Sequence, residues 1–124
     1  MKRILVVDDE SEICDFLKAF FEDRSYEVVT VNSGEAAMKQ IEKIQPHVVL
    51  LDIHMPGVDG VVVLRQIKAK YPKMKVIMVT AIETRDKIEE CLRLGADNYI
   101  TKPLSLEYLE NDVREKIESL SKVH

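Results

Sequence analysis

Three uninterrupted apolar runs constrain the fold of this chain more than any other feature. They are residues 4–7, 48–51 and 76–79, and every position in them is Ile, Leu, Val or Met. A strand has this composition when both of its faces are buried, as in a parallel sheet covered by helices. The runs therefore predict the central strands of such a sheet.

Five predicted helices and two further, more polar strands complete the predicted fold. Apolar residues recur at helical spacing after each strand, which predicts five amphipathic helices. Mixed segments at residues 26–31 and 98–101 predict two further strands, suited to the sheet edges. Alternating strands and helices with long crossovers imply parallel pairing. The predicted fold class is α/β, a doubly wound (βα)5 sheet in strand order 2-1-3-4-5 with helices on both faces.

Local signals indicate where the helices and turns begin and end. The fourth helix is predicted from about Thr84, with the thinnest apolar stripe, and Gly95 is suited to a left-handed position after it. Pro46 ends the second helix, and residues 55–57 (Met-Pro-Gly) predict a turn. The candidate N-caps of the other helices are Asp9 or Ser11, Ser33, Asp59 and Ser105.

Length and composition predict one globular domain over residues 1–124. The chain is 46% hydrophobic and 32% charged, and no apolar run approaches the roughly 20 residues of a membrane span. A net charge of −4 without a basic block argues against direct nucleic-acid binding. Cys14 and Cys91 fall in helical patterns, which predicts buried free thiols. No interaction with a membrane is expected, and the cytoplasm is the default location.

Polar residues follow four of the predicted strands. Because parallel strands end at one sheet edge, and ligands bind where the winding direction reverses, these side chains should meet. Helix capping or ordinary surface placement explains any one of them, but not an acid cluster with a hydroxyl and a cation. The residues are Asp8 and Asp9, Asp52, Thr80, and Lys102.

An acid cluster of this kind predicts a metal and an anion site. Neighbouring carboxylates repel one another, and oxygen ligands suit Mg²⁺ or Mn²⁺ better than Zn²⁺. The metal, Lys102 and the Thr80 hydroxyl would bind a tetrahedral dianion, most simply a phosphoryl group. Asp52 at the centre could be its nucleophile. The histidines His47, His54 and His124 show no ligand spacing.

Together these motifs resemble a bacterial response-regulator receiver domain, the CheY-like phosphoacceptor module of two-component signalling. The matching motifs are Asp8-Asp9, Asp52, Thr80, Lys102-Pro103, the loop with Asp59-Gly60, and Gly95-Ala96-Asp97. The resemblance covers essentially the whole chain and implies a flavodoxin-like fold. It further implies a phosphoacceptor signalling domain rather than an enzyme, one that promotes only its own phosphorylation and dephosphorylation.

The resemblance also implies roles for individual residues. Asp9 and Asp52 would ligate the metal directly, with the backbone carbonyl of His54 as third protein ligand and Asp8 acting through water. Thr80, Lys102 and the small Ala81 would surround the phosphoryl group. Thr80 and Tyr99 would change conformation on phosphorylation, and the Lys102–Pro103 peptide bond would be cis. These site residues are Asp8, Asp9, Asp52, His54, Thr80, Ala81, Tyr99, Lys102 and Pro103.

The implied partners are proteins. A sensor histidine kinase or a histidine phosphotransfer protein would donate the phosphoryl group. Phosphorylation would switch a face formed by the fourth helix, fifth strand and fifth helix, which would bind a downstream protein or a second copy. No output domain is expected in these residues.

Three alternatives stay open at this point. A pseudo-receiver would use the same fold for protein interaction without metal. An aspartyl-phosphate phosphohydrolase would want a second acid two residues after Asp52, where this chain has His54. A flavodoxin-like cofactor module would want a glycine- and hydroxyl-rich phosphate loop after strand one, where residues 8–10 are acidic. The side chain of His54 either alters access to the site or is an exposed bystander.

Overall fold

The fold is a five-stranded parallel sheet in a computed structural model that describes residues 2–55, 57–81 and 85–121. Its order is β2-β1-β3-β6-β7, so the predicted order 2-1-3-4-5 is confirmed, with β6 and β7 as the fourth and fifth sheet strands. The strands are β1 (Arg3–Val7), β2 (Glu27–Val31), β3 (Val48–Asp52), β4 (His54–Met55), β5 (Val58–Asp59), β6 (Lys75–Thr80) and β7 (Asn98–Thr101).

Helices cover both faces of the sheet. The helices are α1 (Ser11–Glu22), α2 (Gly34–Ile44), α3 (Gly60–Lys70), α4 (Arg85–Arg93), α5 (Leu106–Tyr108) and α6 (Arg114–Leu120), with a π-helical turn (Leu109–Val113) between α5 and α6. Among the described residues, no helix is both long enough and apolar enough to cross a membrane.

Strand side chains alternate between two hydrophobic cores. In β1, Leu5 and Val7 join the core under α2, α3 and α4, whereas Ile4 and Val6 join the core under α1 and the C-terminal helices. Every residue of β3 is buried, as expected for a central strand. Both predicted free thiols, Cys14 and Cys91, lie in these cores and are confirmed.

Most helix boundaries follow the predicted signals. Ser33 accepts from the Ala36 N–H, and Ser105 and Asp59 cap their helices in the same way. Gly57 and Gly95 have positive φ angles of 77° and 106°, so both predicted glycine positions are confirmed. Two expectations, a turn at Pro56 and a helix start at Thr84, lie outside the described residues.

The predicted start of the first helix is wrong. Glu10 occupies the N-cap position of α1 and makes no side-chain cap hydrogen bond, while Ser11 is already helical. Asp9 lies one residue before the N-cap position, and its carboxylate belongs to the acid cluster at the sheet edge. The apolar spacing of the first helix predicts an end at about Arg24, and the helix ends two residues earlier, at Glu22.

Candidate functional site

Three carboxylates meet where β1 and β3 end. The two strands pair in parallel with Val7 beside Leu51, so the residues that follow, Asp8 and Asp52, lie side by side. One carboxylate oxygen from each of Asp8, Asp9 and Asp52 lies within 4.8 Å of the other two. Asp8 is 2% exposed and Asp52 4%, whereas Asp9 is open to solvent. The predicted acid cluster therefore exists as a half-buried pocket of like charge.

Lys102 reaches this cluster from the end of β7. Its ammonium nitrogen (Nζ) lies 3.4 Å from Asp8 Oδ2 and 3.6 Å from Asp52 Oδ2. It also donates a hydrogen bond of 3.1 Å to Glu10 Oε1, a contact that the sequence did not predict. Lys102 is held in place because its backbone N–H donates to the Thr80 carbonyl at 2.8 Å. The peptide bond to Pro103 is cis, as the resemblance implied.

Asp52 is the less satisfied of the two buried carboxylates. Its Oδ1 accepts a weak hydrogen bond of 3.3 Å from the His54 N–H, but its Oδ2 is buried without a hydrogen-bond partner among the described residues. Burial and the neighbouring Asp8 raise the pKa of Asp52 to about 7, against the opposing effects of Lys102 and the His54 N–H. A buried oxygen in this state is poised to take a cation or a covalent partner.

Asp8 and Asp9 differ in the hydrogen bonds and ion pairs that their carboxylates make. Asp8 Oδ1 accepts a 2.9 Å hydrogen bond from the Glu10 N–H, and its Oδ2 faces Lys102. No hydrogen bond or ion pair occupies the Asp9 side chain within the described part of the chain. Asp9 thus offers both of its oxygens at the mouth of the pocket.

Lys102 carries its charge despite partial burial. Desolvation alone would lower the pKa of Lys102, but the hydrogen bond to Glu10 and the charges of Asp52 and Asp8 raise it above its ordinary value. One ammonium group therefore contacts three carboxylates, and Asp9 adds a fourth to the pocket. The pocket keeps a surplus of negative charge that favours a bound cation.

Thr80 and Ala81 close the opposite side of the pocket. Thr80 follows Val79, the register partner of Asp52, and is 1% exposed. Its hydroxyl donates to the Ala81 carbonyl at 3.0 Å. Ala81 is half-buried and presents only a methyl group. The predicted hydroxyl and the small residue thus lie on the strand next to the phosphoacceptor candidate.

Tyr99 lies away from the acid cluster. It pairs with Met78 in the edge strand and is 37% exposed. The Lys116 ammonium lies 5.6 Å from the centre of its ring and donates to its backbone carbonyl. A conformational change that couples Tyr99 to Thr80 stays a prediction.

A short hairpin that the sequence did not predict follows Asp52. Strands β4 and β5 pair antiparallel, with His54 opposite Asp59. The His54 side chain is exposed. Asp59 forms an ion pair of 2.8 Å with Lys87 of α4. Two-residue strands show no hydrophobic period, so nothing in the pattern of these residues distinguished the hairpin from a turn.

The donor set fits a hard divalent cation. All three side-chain candidates supply carboxylate oxygens, and no histidine or cysteine joins them in the described structure. Asp52 Oδ2, which has no hydrogen-bond partner among the described residues, is the atom that such an ion would satisfy. Oxygen ligands with room for water suit Mg²⁺ or Mn²⁺.

Comparison with known proteins decides the family. The family model described as "Response regulator receiver domain" matches residues 4–114. The chain belongs to this family. Receivers are signalling domains of two-component systems, so the phosphohydrolase and cofactor-module alternatives are not favoured.

Several receivers share both sequence and fold with this chain. The "Alkaline phosphatase synthesis transcriptional regulatory protein PhoP" of Bacillus subtilis (strain 168) is 40% identical over 105 residues, which are 84% of this chain and 43% of PhoP. The chain thus spans less than half the length of that relative. A CheY-like receiver from Methanospirillum hungatei is 33% identical, with a TM-score of 0.87 over 97% of this chain and 96% of the other.

One similar structure was solved with ligands. TrrA from Thermotoga maritima, in complex with Mg(2+)-BeF, is 36% identical, with a TM-score of 0.84 over 97% of this chain and 99% of TrrA. The receiver fold of the present chain therefore has a counterpart in a response regulator whose structure was solved in complex with Mg(2+)-BeF.

Proposed function

We propose that this receiver accepts a phosphoryl group on Asp52 in a Mg²⁺-dependent reaction with a phosphohistidine donor. One observation carries the proposal. Asp52 is a nearly buried carboxylate whose Oδ2 has no hydrogen-bond partner among the described residues, and it lies beside two further acids and one lysine. A carboxylate serves as a phosphoryl acceptor when positioning and charge neutralisation are supplied around it.

The metal would be held by oxygen atoms of this pocket. Asp9 and Asp52 would bind Mg²⁺ directly together with the backbone carbonyl of His54, and Asp8 would act through water. The engagement of Asp8 with Glu10 and Lys102, and the unengaged side chain of Asp9, support this division. Bound Mg²⁺ would supply charge neutralisation for the transferred group, and Mn²⁺ could replace it.

The chain's own residues carry the transfer. An oxygen of Asp52 forms a bond to phosphorus while the bond from phosphorus to the donor imidazole nitrogen breaks, and that nitrogen keeps the electron pair. Lys102 exchanges one of its carboxylate contacts for a phosphoryl oxygen, and the Thr80 hydroxyl turns from the Ala81 carbonyl to another. Ala81 leaves room for the donor. No general base is needed once Asp52 is ionised, and a bound cation would favour that ionised form.

An apolar groove beside the pocket suits the donor protein. It has a volume of about 390 Å³ and is lined by Glu12, Ile13, Phe16, Lys102, Pro103 and Leu104. Phe16 is 36% exposed, and Lys102 belongs to both the groove and the acid cluster. A sensor histidine kinase or a histidine phosphotransfer protein that docks here would bring its phosphohistidine to Asp52.

The phosphorylated state would act through the face formed by α4, β7 and the C-terminal helices. Among the described residues of α4, only Ile88 and Cys91 are buried, so little packing holds this helix. Movement of Thr80 toward the phosphoryl group, with Tyr99 following, would shift α4 and expose a surface for a partner protein or a second copy.

Residues 1–124 are proposed to form one receiver domain whose output depends on such protein contacts, not on direct nucleic-acid binding. The domain would promote only its own phosphorylation and dephosphorylation. The two buried free thiols accord with a reducing compartment such as the cytoplasm.

The direct test is intact mass spectrometry after incubation with acetyl phosphate and Mg²⁺. We expect a gain of one phosphoryl mass that disappears in Asp52→Asn and in EDTA. Asp23→Asn is the matched control, because its carboxylate is 83% exposed and lies outside the site. No gain in a folded wild-type protein would instead favour the pseudo-receiver.

A further inference from the structure

Asp59 joins two helices through its two carboxylate oxygens. Its Oδ1 accepts a hydrogen bond of 2.9 Å from the Val61 N–H and so caps α3. Its Oδ2 accepts a hydrogen bond of 2.8 Å from Lys87 Nζ, on α4. The hydrogen bonds from Lys87 and Val61 lower the pKa of Asp59, although partial burial opposes them. The Asp59 side chain therefore stabilises the N-terminus of α3 and binds α4 at the same time.

The same residue is tied by backbone contacts to the phosphoacceptor candidate. His54, whose N–H donates to Asp52 Oδ1, is the antiparallel partner of Asp59 in the β4–β5 hairpin. The next residue, Gly60, donates its N–H to the Ile53 carbonyl at 2.7 Å. A displacement of the backbone after Asp52 is therefore passed directly to Asp59.

Helix α4, to which this displacement would be passed, is held by few buried side chains. Two buried side chains anchor the described part of α4, and Leu92 is 42% exposed. Lys87 and Asp59 are 40% and 39% exposed, so their ion pair is modest in strength, but it acts on a helix with few other restraints. A small interaction can shift the position of such a helix measurably.

We infer that Asp59 is a positioning residue that holds α4 in its unphosphorylated position through Lys87, and that movement of the β4–β5 hairpin on phosphorylation of Asp52 releases this hold. The inference rests on the proposed function. It provides a route from Asp52 to α4 that does not pass through Thr80.

Amide hydrogen exchange of peptides from α3 and α4 tests the inference in Mg²⁺, with and without acetyl phosphate. Lys87→Gln and Asp59→Asn both break the ion pair, and Asn preserves the cap because it is a good N-cap residue. Asp59→Ala removes both. Lys39→Gln is the matched control, since Lys39 pairs with Glu35 on the surface of α2, far from α4 in the chain.

Without acetyl phosphate, we expect α4 to exchange about two- to fivefold faster in Lys87→Gln and Asp59→Asn. This is the fold-change expected from loss of the stabilisation that one exposed ion pair provides. The double variant should exchange no faster than either single one. The start of α3 should be affected only in Asp59→Ala. Addition of acetyl phosphate should change α4 exchange less in the pair-breaking variants than in the wild type.

The inference is overturned if α4 of Lys87→Gln exchanges like the wild type, or if Asp59→Asn loosens α3 and α4 alike. Failure of the proposed function would be distinguishable, because it would appear as wild-type protein that gains no phosphoryl mass. The comparison without acetyl phosphate would then still decide whether Asp59 holds α4.

Discussion

Lys102 Nζ lies 3.6 Å from Asp52 Oδ2, too far for a hydrogen bond, while it donates at 3.1 Å to Glu10. Lys102 therefore interacts with Glu10, Asp8 and Asp52 together, and it does not fully neutralise Asp52. This geometry leaves Asp52 buried, close to Asp8 and incompletely paired, and it raises the pKa of Asp52 to about 7. The free-energy cost of ionising this buried carboxylate leads to the first prediction.

Replacement of Asp52 by Asn should stabilise the metal-free protein at pH 8. The pKa of Asp52 rises from 3.8 to about 7 on folding, so its ionisation lowers folded stability as pH rises from about 4 to about 7. Asp52→Asn removes this cost and should raise the free energy of unfolding by up to about 4 kcal/mol at pH 8, since each pKa unit corresponds to about 1.4 kcal/mol, but little near pH 4. Urea unfolding at both pH values measures the difference.

Mg²⁺ provides the second half of that test. If Mg²⁺ binds the ionised carboxylate as proposed, it should stabilise wild-type protein at pH 8 and have far less effect on Asp52→Asn. The exposed Asp23→Asn variant should respond to Mg²⁺ like the wild type. Equal stabilisation of Asp52→Asn and wild type by Mg²⁺ would place the ion elsewhere.

Loss of the Lys102 charge should separate metal binding from phosphoryl transfer. Lys102→Met removes the cation that is proposed to meet the developing charge on the phosphoryl group, which should slow phosphorylation by acetyl phosphate by about 10²-fold. Metal binding should persist, because the same change leaves the carboxylates less neutralised. Mass spectrometry gives the rate, and Mg²⁺-dependent stability gives the binding.

Lys39→Met, which removes a surface lysine that is 76% exposed, is the control for that substitution. An unchanged phosphorylation rate in Lys102→Met would remove this lysine from the transfer step.

Gly60 should tolerate no side chain, whereas Gly57 should tolerate one at modest cost. A Cβ at Gly60 would lie 2.2 Å from the Asp52 carbonyl oxygen and 2.7 Å from the Ile53 Cα, both backbone atoms. We expect Gly60→Ala to lower the free energy of unfolding by about 3 kcal/mol. A Cβ at Gly57 meets nothing within 4 Å, so only its positive φ of 77° opposes substitution, at about 1 kcal/mol.

Urea unfolding of both glycine variants measures these costs. Equal destabilisation by the two substitutions would contradict the close approach of α3 to the end of β3.

The acid pocket was predictable because it follows from strand order alone. Once β1 and β3 are adjacent and parallel, Asp8 and Asp52 must meet, whatever their rotamers. Glu10 was missed because its contact depends on the side-chain conformation of Lys102. Asp59 was predicted as a helix cap, but its ion pair with Lys87 depends on the packing of α4, which no local pattern specifies.

The helices likewise combine features that the neighbouring sequence predicts with features that it does not. Ser33 and Ser105 cap their helices through contacts three residues away, so their roles are readable from neighbouring sequence. The π-helical turn (Leu109–Val113) carries an ordinary apolar stripe and was predicted as plain α-helix. Leu109 and Val113 are both buried in the core, as they would also be in an ordinary α-helix, so the apolar pattern does not distinguish the two helix types.

The most direct measurement is the position of the phosphoryl group. Borohydride reduces an aspartyl phosphate to homoserine, which tandem mass spectrometry of peptides locates within the chain. After incubation with acetyl phosphate and Mg²⁺, we predict homoserine at Asp52 and none at Asp8 or Asp9, with no conversion when EDTA is present. Conversion at Asp8 or Asp9, or phosphorylated protein with Asp52 intact, would contradict the account.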